Sequence, residues 1–138
     1  MEDILTRREV REGAFLILYQ ALFGTELKEI CEANEEAFGL ARNEETDEIV
    51  NGVLEHSEEL EAVIAKYSTT RSVSRIAKVN MVIMKIAVYE MKYCERVPVA
   101  AAINEAVELA KKYAYKADSG FINGVLNAFK GELDGTDK

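Results

Sequence analysis

The stretch from Val99 to Tyr113, Val-Ala-Ala-Ala-Ile-Asn-Glu-Ala-Val-Glu-Leu-Ala-Lys-Lys-Tyr, decides the fold class. At about 100° per residue, the repeat of an α-helix, Val99, Ala102, Ile103, Ala106, Leu109 and Ala110 share one stripe. That stripe predicts a helix with one buried face. Pro98 suits its first turn, where no backbone N–H is needed. Glu108 and Lys112 are expected outside as an i,i+4 pair.

The same spacing recurs on both sides. Upstream, Ser72 or Ser74 is expected to cap a helix reaching about Tyr93, with Ile76, Val79, Ile83, Ile86 and Tyr89 or Tyr93 inward. Glu95-Arg96-Val97 connects it to Pro98. Downstream, Asp118 or Ser119 is expected to cap a last helix, with Phe121, Ile122, Val125, Leu126 and Phe129 as its stripe. The chain opens with a helix from Glu2 to about Phe23, ending at Gly24. Ile4, Phe15, Leu18 and Leu22 form its stripe, with Ala14 and Ala21 on the flank and Glu2, Glu9, Glu12 and Gln20 opposite. A short helix follows over about Glu26 to Phe38, with Gly39 after it. A long one runs from about Asn43 to Tyr67, its acidic start (Glu44, Glu45, Asp47, Glu48) matched to the macrodipole. Ile49, Val53, Leu60, Val63 and Tyr67 face inward there, with His56 at a helix–helix seam. No segment alternates with period two, so the expectation is an all-α protein of about six to seven helices.

Ser68-Thr69-Thr70 is the polar break in mid-chain. It divides an N-terminal helical subdomain, residues 1–69, from a C-terminal one, residues 70–138. Charge divides at the same place. Through Thr69 there are 6 basic and 17 acidic residues, and from Thr70 onward 11 basic and 8 acidic, which together make the net charge of −8. The acidity belongs to one half, so a local basic patch can still attract phosphate. No stretch reaches the roughly 18 apolar residues of a membrane helix, and no basic leader precedes an apolar run. A cytoplasmic protein away from membranes is expected. Cys31 and Cys94 form no CxxC pattern and suit reduced thiols.

Catalysis is not expected. There is no glycine-rich phosphate loop, and one histidine supplies neither a zinc site nor a di-iron bundle. The carboxylates Glu44-Glu45-Asp47-Glu48 and Glu58-Glu59-Glu61 suit solvated helix faces. No metal and no cofactor are called for. Arg7, Arg8 and Arg11 differ: three planar forks on one helix face, on its apolar rather than its acidic side, suit bidentate contacts to phosphate. Spacing alone leaves open ordinary pairing, such as Arg8 with Glu12. The start of the last helix around Ser119, Gly120 and Phe121 offers free N–H groups to an anion. Phe121 either stacks an unpaired base there or packs into the core.

Three blocks resemble the NusB family of transcription antitermination factors. They are Thr6-Arg7-Arg8-Glu9-Val10-Arg11-Glu12 leading into Leu18-Tyr19-Gln20; Ile83-Met84-Lys85-Ile86-Ala87-Val88-Tyr89-Glu90-Met91 with Val97-Pro98-Val99; and AINEAVELAK (Ala102–Lys111) followed by Ser119-Gly120-Phe121-Ile122-Asn123-Gly124-Val125-Leu126. The resemblance implies two three-helix subdomains packed together. It also implies a factor that binds single-stranded boxA RNA jointly with a small-subunit ribosomal protein, NusE. That assembly, with other Nus factors, helps RNA polymerase read through terminators in ribosomal RNA operons. By the resemblance, Arg7, Arg8 and Arg11 are RNA contacts, and Tyr19, Ser119, Phe121 and Asn123 are neighbouring RNA surface. Asn80, Met84, Lys85 and Val88 are the expected protein-partner face, while Asn104 and Glu105 are expected to be structural. The alternative is a helical protein-interaction module, with a second copy of itself among its partners and RNA secondary. Glu9 interrupts the basic run and Asp118 puts an acid near the last helix, so weak binding strengthened by the partner is expected.

Overall fold

The computed structural model describes residues 7–24, 26, 29, 32 and 44–135. Apart from Glu26, Glu29 and Glu32, the expected helix over 26–38 lies outside these residues, as do Ile4 and Cys31. The described chain is helical, without strands: α1 (Arg7–Ala21), α2 (Glu44–Glu55), α3 (Ser57–Tyr67), a 3-10 turn (Val73–Arg75), α4 (Lys78–Tyr93), α5 (Val99–Tyr113) and α6 (Lys116–Leu133).

Helix α4 sits in the middle. It packs against α1, α2, α3, α5 and α6, and the reason is its composition. From Asn80 to Met91 ten residues are buried, spread over all but one side of the helix, the side that carries Lys78, Met81, Lys85 and Lys92. A helix apolar on most sides is stable only when neighbours cover those sides. The others each bury one stripe against it or against one another: Phe15 and Leu18 from α1, Ile49 and Val53 from α2, Leu60 and Ile64 from α3, Ile103 and Leu109 from α5, Ile122 and Phe129 from α6. These make one continuous cluster that draws on both halves of the chain. None of the described helices is long and apolar enough to cross a membrane.

Five local expectations change. The single helix over Asn43–Tyr67 bends at His56 (φ −103°, ψ 16°), although hydrogen bonds from His56 N to Gly52 O and from Leu60 N to His56 O bridge the bend. The imidazole is seated there by stacking on Tyr93, with ring centroids 4.4 Å apart. Ser72 and Ser74 belong to the 3-10 turn, and α4 starts later with no side-chain cap. Helix α6 starts at Lys116, ahead of the expected caps, with Tyr115 at the N-cap position. Finally, Lys112 pairs with Glu12 of α1 rather than with Glu108, which takes Lys111. Leu22, expected inward, is exposed beyond the end of α1.

Candidate nucleic-acid interface

The amphipathic α1 brings its arginines against α4 and α5, and it treats them differently. Arg8 lies on the outer edge. Its Nε and Nη2 donate to the two carboxylate oxygens of Glu105 at 2.9 and 3.0 Å, a forked pair across 97 positions of sequence. The Arg8 side chain remains 61% exposed. Hydrogen bonding to Arg8 is the main reason that Glu105 is held below the usual carboxylate range. Both residues line a groove of about 370 Å³ with Glu12, Glu108, Leu109, Lys111 and Lys112.

Arg11 turns the other way. It is buried, at 4% exposure, and its Nε donates to Glu90 of α4 at 2.7 Å. A nucleic acid outside the fold cannot reach it, so the expectation that Arg11 contacts RNA is corrected. An arginine on the apolar stripe of α1 points where that stripe points, into the core, and the core supplies a carboxylate to meet it. Arg7 lies in α1, its side chain outside the described residues. Tyr19, farther along α1, is half-buried, stacked on Phe15 at 5.9 Å and edge-on to Phe23 at 5.3 Å.

The start of α6 forms a second cluster. Asp118 occupies its first turn and accepts the Tyr115 N–H at 3.3 Å and the Arg71 Nη1 at 2.9 Å. Burial alone would raise the Asp118 carboxyl. The Arg71 guanidinium and the Tyr115 N–H outweigh burial and hold it below its ordinary value. The Arg71 guanidinium also covers the half-buried Phe121 ring, 4.2 Å from its centroid. Ser119 Oγ donates to Lys116 O at 2.8 Å. Asn123 is not part of this cluster. Two residues on from Phe121 it has rotated about 200° around the helix, and it lines a groove with Ala100, Ile103, Asn104, Val107, Asn127 and Lys130. Asn104, expected to be structural, is exposed there.

The expected partner face on α4 is corrected as well. Asn80, Met84 and Val88 each have 0% exposure, because neighbouring helices cover α4 on the sides these residues occupy. Lys85 reaches out only as far as α3, donating to Ser57 Oγ at 2.9 Å. Among the described residues no group of His, Cys, Asp and Glu is placed to hold a metal.

A family model described as the NusB family matches residues 8–130. The chain belongs to the NusB family. Among NusB relatives, the transcription antitermination protein NusB of Bacillus subtilis (strain 168) is 37% identical over 134 residues, 94% of this chain and 98% of the relative. That of Agathobacter rectalis is 39% identical over 130 residues, 91% and 99% of the two chains. Among solved structures, NusB of T. maritima aligns with a TM-score of 0.80 at 25% identity, covering 94% of each chain. A chain from a crystal structure of the antitermination factors NusB and NusE in complex with dsRNA aligns with a TM-score of 0.76 at 27% identity, over 88% of this chain and 93% of that one.

Sequence reasoning missed Glu90, the acid that receives Arg11, and Arg71, which covers Phe121; Glu105 was expected to be structural, without its partner Arg8. A lone arginine on an apolar stripe was the available signal for a buried partner. Nothing local identified which acid would supply it.

Proposed function

We propose that this NusB-family chain is a non-catalytic transcription antitermination factor of the cytoplasm. It binds single-stranded boxA RNA together with the ribosomal protein NusE and, with other Nus factors, helps RNA polymerase read through terminators in ribosomal RNA operons. The observation that supports this reading is the near full-length likeness to a chain of a solved structure of NusB and NusE in complex with dsRNA. Two surfaces fit it. On α1, Arg8 is held by Glu105 yet exposed, so its fork is oriented before a phosphate arrives; Arg7 neighbours it in sequence. At the start of α6, Phe121 sits under Arg71, and Ser119 lies in the same turn. Asn123 and Tyr19 would serve as flanking contacts. NusE must dock on a face other than the buried Asn80, Met84 and Val88.

The test is binding of a labelled boxA RNA oligonucleotide, with and without NusE, at two salt concentrations. Weak binding alone, strengthened by NusE, is expected. Replacing Arg7 and Arg8 together by alanine should flatten the salt dependence, because each lost phosphate contact removes about 0.7 from the log–log slope for a single strand. An unchanged slope refutes the assigned face, and no binding even with NusE refutes the function.

A further inference from the structure

Tyr115 is 83% exposed, the most exposed large apolar side chain among the described residues. Its backbone is nevertheless fixed. At the N-cap of α6 it is extended (φ −79°, ψ 152°), its N–H donates to Asp118 Oδ2, and its carbonyl accepts the Asp118 N–H at 2.9 Å. The chain therefore holds the residue still and leaves its ring in solvent.

Its surroundings are basic. Lys111 and Lys112 close the last turn of α5 and Lys116 opens α6, all three exposed, with no acid between Leu109 and Ala117. Lys111 and Lys112 also line the groove that holds Arg8. On the other side, Asp118 holds Arg71 over Phe121, and Arg75 and Lys78 are exposed in the same segment. Cations thus run from Arg8 across the α5–α6 connection to Arg71. Arg8, Lys111, Lys112 and Arg71 each meet an acid (Glu105, Glu108, Glu12 and Asp118), while Lys116, Arg75 and Lys78 stand exposed around one presented aromatic ring. A protein partner fits this poorly, since interface centres are depleted of lysine and anchors sit in dry apolar pockets. A strand with a phosphate at every unit and a flat ring on each fits well.

We propose that Tyr115 is a base-stacking platform for single-stranded RNA, with Lys111, Lys112 and Lys116 receiving the neighbouring phosphates, so that the RNA path continues beyond the Arg8 groove. This rests on the RNA-binding reading above.

The chain contains no tryptophan, so Tyr115→Trp places a single reporter at the site. Titration with boxA RNA in the presence of NusE should quench its fluorescence in step with the anisotropy of a labelled strand. Tyr115→Ala should weaken RNA binding about tenfold and Tyr115→Phe by less than about twofold, because stacking needs the ring and not the hydroxyl. Lys116→Ala should lower the salt slope. Circular dichroism of Tyr115→Ala should match the parent. An unquenched tryptophan at saturating RNA, or undiminished binding by Tyr115→Ala while the parent binds, overturns the platform and leaves the functional reading intact. Loss of NusE binding by Tyr115→Ala in the absence of RNA overturns it in favour of a protein contact. Failure of the parent chain to bind RNA at all, with NusE present, overturns both.

Discussion

Arg11 Nε lies 2.7 Å from Glu90 Oε1, and the two side chains are 4% and 2% exposed. The pair ties α1 to the central helix α4 across 79 positions of sequence. Taking two charges out of water costs several kcal/mol per ion, and their attraction recovers this only in good geometry. The pair is therefore a device for placing α1 more than a source of net stability. It holds the helix at the rotation that leaves Arg8 on the rim.

Breaking the pair from one side leaves an uncompensated buried charge. Glu90→Ala or Arg11→Ala should lower the unfolding free energy by about 3–5 kcal/mol, measured by urea denaturation. The double replacement Arg11→Met with Glu90→Leu should recover most of that loss. If either single variant unfolds within about 0.5 kcal/mol of the parent, the buried pairing is wrong.

Arg8 should behave in the opposite way. Its guanidinium is exposed at the pair with Glu105, and ion pairs screened by solvent in this way add little to stability. Arg8→Ala should leave the urea midpoint almost unmoved while weakening boxA RNA binding and reducing its salt dependence. Measuring stability and RNA affinity on the same Arg8 and Arg11 variants separates the two arginines: one moves binding, the other moves folding.

Gly52 faces Tyr89 so closely that a Cβ placed there would come within 2.2 Å of the ring. Tyr89 itself is buried, and its ring neighbours His56 and Tyr93 at 6.3 and 5.6 Å. A shifted ring would therefore disturb the His56 bend. Gly52→Ala should destabilise by about 1–3 kcal/mol despite the better helix propensity of alanine. In a double-mutant cycle, Tyr89→Leu should cancel part of that penalty. Simple additivity of the two changes would show that the close approach is absent.

Acid should weaken the α3–α4 seam. Hydrogen bonds from Lys92 and Tyr93, in that order, hold the Glu59 carboxyl down to about 2 from an ordinary 4.5. In that window the unfolded chain binds a proton that the folded chain refuses. The contribution is thus fully present above about 4.5 and disappears as pH falls toward about 2. Thermal melts in steps through this range should show Glu59→Gln, already lacking the carboxylate, losing less Tm on acidification than the parent. Parallel loss in both proteins would rule the linkage out.

Much of this architecture was legible as periodicity. The stripes Val99–Ala110, Ile122–Phe129 and Ile49–Leu60 are determined by the sequence, because a helix of fixed repeat needs no knowledge of its neighbours to show which residues share a face. Helix existence, the all-α class and the oddity of arginines on an apolar stripe follow directly. What periodicity does not contain is what stands opposite each face. Helix α4 is buried over most of its circumference, so the single inward stripe through Ile83 and Ile86 is too narrow. Asn80, Met84 and Val88, expected on a partner face, lie on a surface that its neighbours cover. For the same reason Arg8 and Arg11, on one helix, became two kinds of residue only in three dimensions. Arg11 faces α4, where Glu90 meets it in the core. Arg8 faces the edge of α5, where Glu105 meets it in solvent. The tertiary structure decided that division, because burial depends on elements up to 97 positions away, and no local pattern carries that distance.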